Sequence, residues 1–220
     1  LFRSIPMENP SYEYLKIFAG YEKEDTVDLY SSKKTIGSSY TYYQQNHWLH
    51  TYAINYEHET SRTGINPYDT TNLIIPSVTF SRTETDGNPY PLKGWSLVSK
   101  LSGSPTTIGS DLSFIQLNAR AKYIHSLPVG RLLVRGEVGA SQGTDVERLP
   151  VSKRYIAGGD TSVRGYSYKS LGPKDEDGDV VGGSALLVGS IEYDYLFRPR
   201  WAVATFYDAG NAANDFHMDL

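Results

Sequence analysis

Apolar and polar residues alternate along this chain with a period of two, and the alternation persists over long runs. Between Ile115 and Tyr123, one side carries Ile115, Leu117, Ala119, Ala121 and Tyr123, while Gln116, Asn118, Arg120 and Lys122 take the other. Successive side chains of a β-strand point to opposite faces, so this spacing predicts strands with one apolar face. The pattern recurs in Leu15, Ile17, Ala19 and Tyr21 against Lys16, Phe18, Gly20 and Glu22, and in Trp48, Tyr52, Ile54 and Tyr56 against Thr51, Asn55 and Glu57. It returns in Ile74, Val78 and Phe80 against Ser77, Thr79 and Ser81, and in Leu132, Val134, Val138 and Ala140 against Arg131, Arg135 and Glu137. A further run sets Ala185, Leu187, Ile191, Tyr193 and Tyr195 against Ser184, Ser190, Glu192 and Asp194. With weaker alternation over 33–43, 95–102 and 201–208, the expectation is about nine strands and almost no helix.

Many of these runs approach the ~10 residues of a tilted membrane-spanning strand rather than the ~5–6 of an average soluble one. The predicted fold is therefore all-β, an antiparallel transmembrane β-barrel with small, apolar and tyrosine side chains toward lipid and charged ones toward a wet lumen. Alternation does not say which face is outside, so a soluble β-barrel or sandwich is the other reading; a stable monomer without detergent would favour it. The connections bear on the choice. Short links at 44–47, 126–130 and 196–200 carry turn formers such as Asn46, Pro128-Val129-Gly130 and Pro199, and longer ones are expected at 60–71, 103–112 and 141–183. Short turns on one rim and long loops on the other match the periplasmic and extracellular ends of an outer-membrane barrel. The link at 84–94 is long for its place on the periplasmic rim.

Composition sharpens this picture. Tyrosine occurs 18 times, against 7 Phe and 3 Trp, and a ring with a polar tip suits a boundary between apolar and wet phases. No stretch approaches the ~20 apolar residues of a membrane helix. The net charge of -4 offers no basic field for nucleic acid, and the absence of cysteine excludes disulfides and thiolate metal sites. Leu1-Phe2-Arg3 is not the start of a secretion signal, so residues 1–220 are expected to be an internal piece of one barrel domain.

Candidate chemistry is sparse. Asp175-Glu176-Asp177-Gly178-Asp179 looks like a calcium loop, but the closing glutamate of the EF-hand pattern would fall at Leu186, and an acidic loop tip is the plainer reading. His47, His50, His58, His125 and His217 show no tight ligand spacing. There is no nucleophile elbow and no phosphate loop, so no enzyme, cofactor or metal is expected. Arg120, Lys122, Arg131 and Arg135 would line the lumen, either pairing with Glu137 and Glu57 or favouring anionic solutes.

The connection around 154–183 is too long for a simple turn and too rich in Tyr, Ile, Val and Leu for a disordered tract. It contains Ala157-Gly158-Gly159, then Ser162-Val163-Arg164-Gly165-Tyr166, then Gly178-Asp179 and Gly182-Gly183. Two strand motifs follow, Gly189-Ser190-Ile191-Glu192-Tyr193 and Phe206-Tyr207-Asp208-Ala209-Gly210. This ordered set resembles the BamA/TamA/two-partner-transporter superfamily of outer-membrane insertases and secretion channels, also called the bacterial surface antigen domain. In that family the loop folds back into the barrel behind an Arg-Gly-aromatic tip. The phrase Arg164-Gly165-Tyr166-Ser167-Tyr168-Lys169-Ser170-Leu171-Gly172-Pro173-Lys174 resembles the TamA-like branch, with weaker likeness at Arg62, at Thr79-Phe80-Ser81-Arg82-Thr83 and at Gly109-Ser110-Asp111.

The resemblance implies a barrel of about sixteen strands behind periplasmic POTRA domains, with POTRA domains and terminal strands outside this chain. It implies insertion of other β-barrel proteins such as autotransporters, in the outer membrane and together with a TamB-like inner-membrane-anchored partner, as a translocation and assembly module. Its other branch implies a two-partner secretion channel. It also marks Arg164, Gly165, Tyr166, Glu192 and Asp208 as a set that locks the loop. Parity independently places Glu192 and Asp208 on inward faces, where a guanidinium between two carboxylates would form charge-assisted bonds, with Tyr166 packed beside it. The alternative is a solvated Arg164 above acids that line a wet lumen.

Overall fold

The structure is a computed structural model that describes residues 1–7, 9, 12–87, 90–143, 146–198 and 201–214. Pro199, His217 and the terminal Asp219-Leu220 lie outside the described residues. Among those described, ten strands form one antiparallel sheet in strict sequence order. They are β1 (Phe2–Pro6), β2 (Glu13–Asp25), β3 (Leu29–Tyr43), β4 (Leu49–Thr63), β5 (Asp69–Thr85), β6 (Gly94–Ser104), β7 (Phe114–Leu127), β8 (Gly130–Gly143), β9 (Ala185–Arg198) and β10 (Trp201–Ala213). The meander has edges at β1 and β10.

Nine of these are the expected strands. The tenth, β1, has only five residues, too few to display a period. Its register, Phe2 opposite Phe18 and Ile5 opposite Leu15, comes from β2. The connection expected at 60–71 also shrinks to 64–68, because β4 runs to Thr63 and β5 begins at Asp69. The polar residues there look loop-like in sequence but are strand ends that rise beyond the apolar band. The loop expected at 141–183 spans 144–184 between β8 and β9.

Register fixes which way each side chain points. Glu57, Glu59, Ser61 and Thr63 are buried on one face of β4, while Tyr52, Ile54 and Tyr56 are exposed on the other. In β7, Ile115, Leu117 and Tyr123 are exposed and Phe114, Gln116 and Ile124 are buried. The charged face is thus covered and the apolar face bare, the reverse of a soluble barrel. Across the bare face, Ile17, Ser38, Ile54 and Pro76 lie side by side, as do Ala19, Ile36, Tyr56 and Ile74. Towards the rim carrying the short turns, this apolar band gives way to aromatic rings: His50 meets Phe80 edge-on at 5.0 Å, and Arg82 lies between Trp48 and Trp95. That is the girdle expected where a barrel leaves the hydrocarbon.

The lumen is not simply wet. Tyr155, Ala157 and Val163 of the long loop pack on Leu186, Val188 and Ala212 of β9 and β10. Leu149 joins Leu73, Ile75, Leu112 and Phe114 in a second inner cluster. The core of this molecule therefore lies between the barrel wall and the infolded loop.

Candidate functional site

The β8–β9 loop enters from the upper rim and is held on several sides. Two short 3-10 turns, Val146–Arg148 and Val151–Lys153, open it. An antiparallel bridge from Tyr155 to Gly183 and another from Ala157 to Leu171 brace its two limbs. The chain then reverses at Gly158 and Gly159, with φ of 106° and 97°. An added Cβ at Gly158 would lie 2.5 Å from the Ser167 carbonyl oxygen, so only glycine fits. Gly165, φ 90°, turns the tip, and Gly182, φ 81°, precedes the bridge at Gly183.

That path carries Arg164 to the middle of the wall, roughly 20–25 Å along β9 at ~3.4 Å per residue. Its Nε donates to Asp208 Oδ2 at 2.7 Å and its Nη2 to Asp208 Oδ1 at 2.8 Å, a two-pronged contact. The Arg164 backbone N–H donates to Asp208 Oδ2 at 2.9 Å. Nη1 donates to Glu192 Oε2, and Nη2 also reaches Ser190 Oγ at 3.0 Å. The guanidinium carbon sits 3.6 Å from the centre of the Phe206 ring. The Asp208 side chain is 1% exposed, against 22% for those of Arg164 and Glu192. The hydrogen bonds to Asp208 hold the guanidinium even more firmly protonated than usual. Arg164, Glu192 and Asp208 thus meet, and the ring on the guanidinium is that of Phe206. Tyr166 is exposed, and its carbonyl oxygen accepts the Gly159 N–H at 3.2 Å.

Sequence reasoning missed the other anchors. Glu59, 1% exposed, accepts from Ser31 Oγ at 2.8 Å and from the Ser152 N–H at 3.1 Å. Lys153 pairs with Glu57 at 2.7 Å and Lys169 with Glu24 at 2.6 Å. Arg154 donates to the carbonyls of Leu149 and Val181. Tyr155 hydrogen-bonds the Leu117 carbonyl at 3.2 Å, and burial pushes its hydroxyl up to about 12. Apart from Arg154 and Leu149, these partners lie far apart in sequence, so no local pattern could reveal them. Of the lumen cations, Arg120 pairs with Glu137 at 2.9 Å as expected. Glu57 is instead taken by Lys153, and Arg135 donates to the carbonyls of Thr161 and Ser162 just before the tip.

The lower rim contributes a second inward element. Tyr90, from the long β5–β6 turn, donates to Asp194 Oδ2 at 2.9 Å, and Arg131 donates to the same oxygen at 2.8 Å while lying 3.4 Å from the Tyr90 ring centre. Inward-facing Ser190, Glu192 and Asp194 of β9 thus meet the loop tip from above and this turn from below. The acidic loop tip folds on itself: Asp175 Oδ1 accepts the N–H groups of Asp177 and Asp179 at 3.2 and 2.9 Å. Among the described residues no group of three or more His, Cys, Asp or Glu is placed to hold a metal.

Comparison with known proteins decides what kind of barrel this is. The Omp85 superfamily domain matches residues 11–217. The chain belongs to the Omp85 superfamily. A curated relative, the outer membrane protein assembly factor BamA of Nitratidesulfovibrio vulgaris, is 30% identical over 154 residues, covering 66% of this chain and 19% of its own length. The crystal structure of BamA from Haemophilus ducreyi lacking POTRA domains 1–3 superposes with a TM-score of 0.77 at 19% identity, over 96% of this chain and 48% of that one. The chain thus spans about a fifth of the curated relative and about half of the solved one. Its family places it in the bacterial outer membrane, among barrel proteins and not enzymes.

Proposed function

We propose that this chain is the later part of the barrel of an outer-membrane assembly factor, a protein that inserts other β-barrel proteins into the outer membrane. The observation that carries this reading is the Omp85 match over nearly the whole chain, together with likeness to an assembly factor. A substrate strand entering lipid must pair its main chain, because unsatisfied peptide groups in hydrocarbon cost several kcal/mol each. A barrel that offers a strand edge lowers that cost by templating the first pairs. The strands described here would supply the rigid wall. Arg164, bound to Asp208 and Glu192, would fix the loop inside the lumen, so that the wall keeps its shape while the seam elsewhere in the barrel opens.

The finer assignment is to the TamA-like branch, with autotransporters among the substrates, a TamB-like partner spanning the periplasm, and POTRA domains preceding the barrel. It is supported by the loop phrase from Arg164 to Lys174. The test is reconstitution of the whole protein into liposomes, followed by addition of a urea-unfolded β-barrel substrate. Faster membrane insertion of the substrate is expected, and more so for an autotransporter barrel. Passage of an extended polypeptide into the liposome lumen without insertion would replace this reading with a two-partner secretion channel.

A further inference from the structure

We propose that the outward face of β2, β3 and β4 at the upper rim binds the phosphorylated headgroup of an outer-leaflet lipid. Register places these residues. Above the apolar rows, Tyr21, Lys34, His58 and Asn72 lie side by side on the lipid-facing side. One step higher Lys23 lies opposite Ser32, and at the top Tyr30 lies opposite both Asp25 and Arg62. The surface thus changes from hydrocarbon-like to cationic within a few residues, at the height where a bilayer changes from acyl chains to headgroups.

The site is built, not a scatter of lysines. Tyr30 and Tyr68 meet edge-on at 5.1 Å and form an aromatic shelf. Lys23 lies over Tyr30 at 5.4 Å and Arg62 over Tyr68 at 5.1 Å, so the shelf holds a cation at each end. Lys34 is exposed and makes no ion pair among the described residues. Two carboxylates reach these rows, Asp25, 3.5 Å from Lys23, and Asp111, whose Oδ2 accepts from Asn72 Nδ2 at 3.1 Å; against Lys23, Lys34 and Arg62 they leave one net positive charge among the described residues. Beneath, Asn72 Oδ1 is shared by Tyr56 Oη at 2.9 Å and His58 Nδ1 at 2.8 Å, a polar row fit for sugar or glycerol oxygens.

Among the described residues the rest of the outward face lacks this cluster, Arg3 standing alone opposite Ile17. At the lower rim Arg82 is neutralised by Glu84. On β6 to β9 the outward positions of the upper half are residues such as Gly103, Ile115, Ala140 and Leu187. Lipid phosphate fits the patch because ammonium and guanidinium groups complement its oxygens and because the apolar rows directly below would take the attached acyl chains.

The test uses the whole protein in neutral detergent and measures binding of a bisphosphorylated lipid A, the same lipid stripped of phosphate, and inorganic phosphate. Wild type should bind the phosphorylated lipid and lose most of that affinity when the phosphates are removed. Each cation near a charged membrane surface contributes about fivefold, so K23Q/K34Q/R62Q should weaken binding by roughly a hundredfold. K100Q/K122Q/R148Q, which removes equal charge from the lumen and loop, should change it less than about twofold. K34Q alone, on a side chain with no ion pair among the described residues, should cost about fivefold and guards against misfolding of the triple variant. Equal binding of the dephosphorylated lipid, an unaffected K34Q, or inorganic phosphate binding as tightly as the lipid would overturn the proposal.

Discussion

Replacing Arg164 with alanine should release the loop from the wall. The substitution removes the paired contacts of Nε and Nη2 with Asp208, the contacts with Glu192 and Ser190, and the cation on the Phe206 ring, leaving Asp208 the Arg164 backbone N–H and the Ser190 hydroxyl. The Asp208 side chain, 1% exposed, would remain as a buried carboxylate without its counter-charge. Breaking such a pair costs ~3–5 kcal/mol. Because Arg164 and Glu192 are each 22% exposed, water recovers part of this, and a figure of about 3 kcal/mol is reasonable. That corresponds to roughly a hundredfold shift toward the undocked loop. Amide hydrogen exchange of residues 154–183 in the whole protein reads this shift directly. Arg164→Ala should speed exchange around the tip by about that factor, while Arg148→Ala, an exposed arginine of the same loop, should not change it. Equal exchange in the two variants would refute the clamp. Asp208→Asn, which removes the other charge, should add little on top of Arg164→Ala, since the two share one interaction.

Three further outcomes are expected. Glu59→Gln removes the carboxylate that Ser31 and Ser152 share, and should lower stability by about 1–3 kcal/mol in denaturant titrations, whereas Glu176→Gln on the exposed tip should not. Tyr90→Ala should free the β5–β6 turn from Asp194 and Arg131 and raise single-channel conductance of the whole barrel in planar bilayers; an unchanged conductance would mean that this turn does not obstruct the lumen. The same turn should loosen in acid. Backbone N–H groups of Lys93 and Leu92 hold Asp86 below the usual aspartate range, so their contribution is complete above that range and is lost as pH falls through the depressed value. Proteolysis of the turn should rise in strong acid in wild type and stay flat in Asp86→Asn.

The wall of this molecule was legible because it is periodic. Ile115 to Tyr123 names its own faces, and the strand parity of Glu192 and Asp208 points both inward without knowledge of the loop. The loop was legible only through its motif, since Arg164 reaches Asp208 across 44 residues and no spacing rule links them. Contacts between sequence-distant residues were invisible for the same reason: Lys169 to Glu24, Ser152 to Glu59, Tyr90 to Asp194. The aromatic partner of the guanidinium was misplaced to Tyr166, which follows Arg164 closely in sequence. Phe206 faces inward two residues before Asp208 on the neighbouring wall and is better placed for the ring contact. The strand tops at 60–63 and 69–71 look like loop in sequence because strand propensity weakens where side chains no longer face hydrocarbon.

Cells depleted of the whole protein test the central claim most directly. The abundance of folded β-barrel proteins in their outer membranes should fall, should recover when the wild-type gene is restored, and should recover less with Arg164→Ala than with Arg148→Ala. Unchanged barrel protein levels, accompanied by loss of a secreted soluble protein from the medium, would contradict the assembly reading.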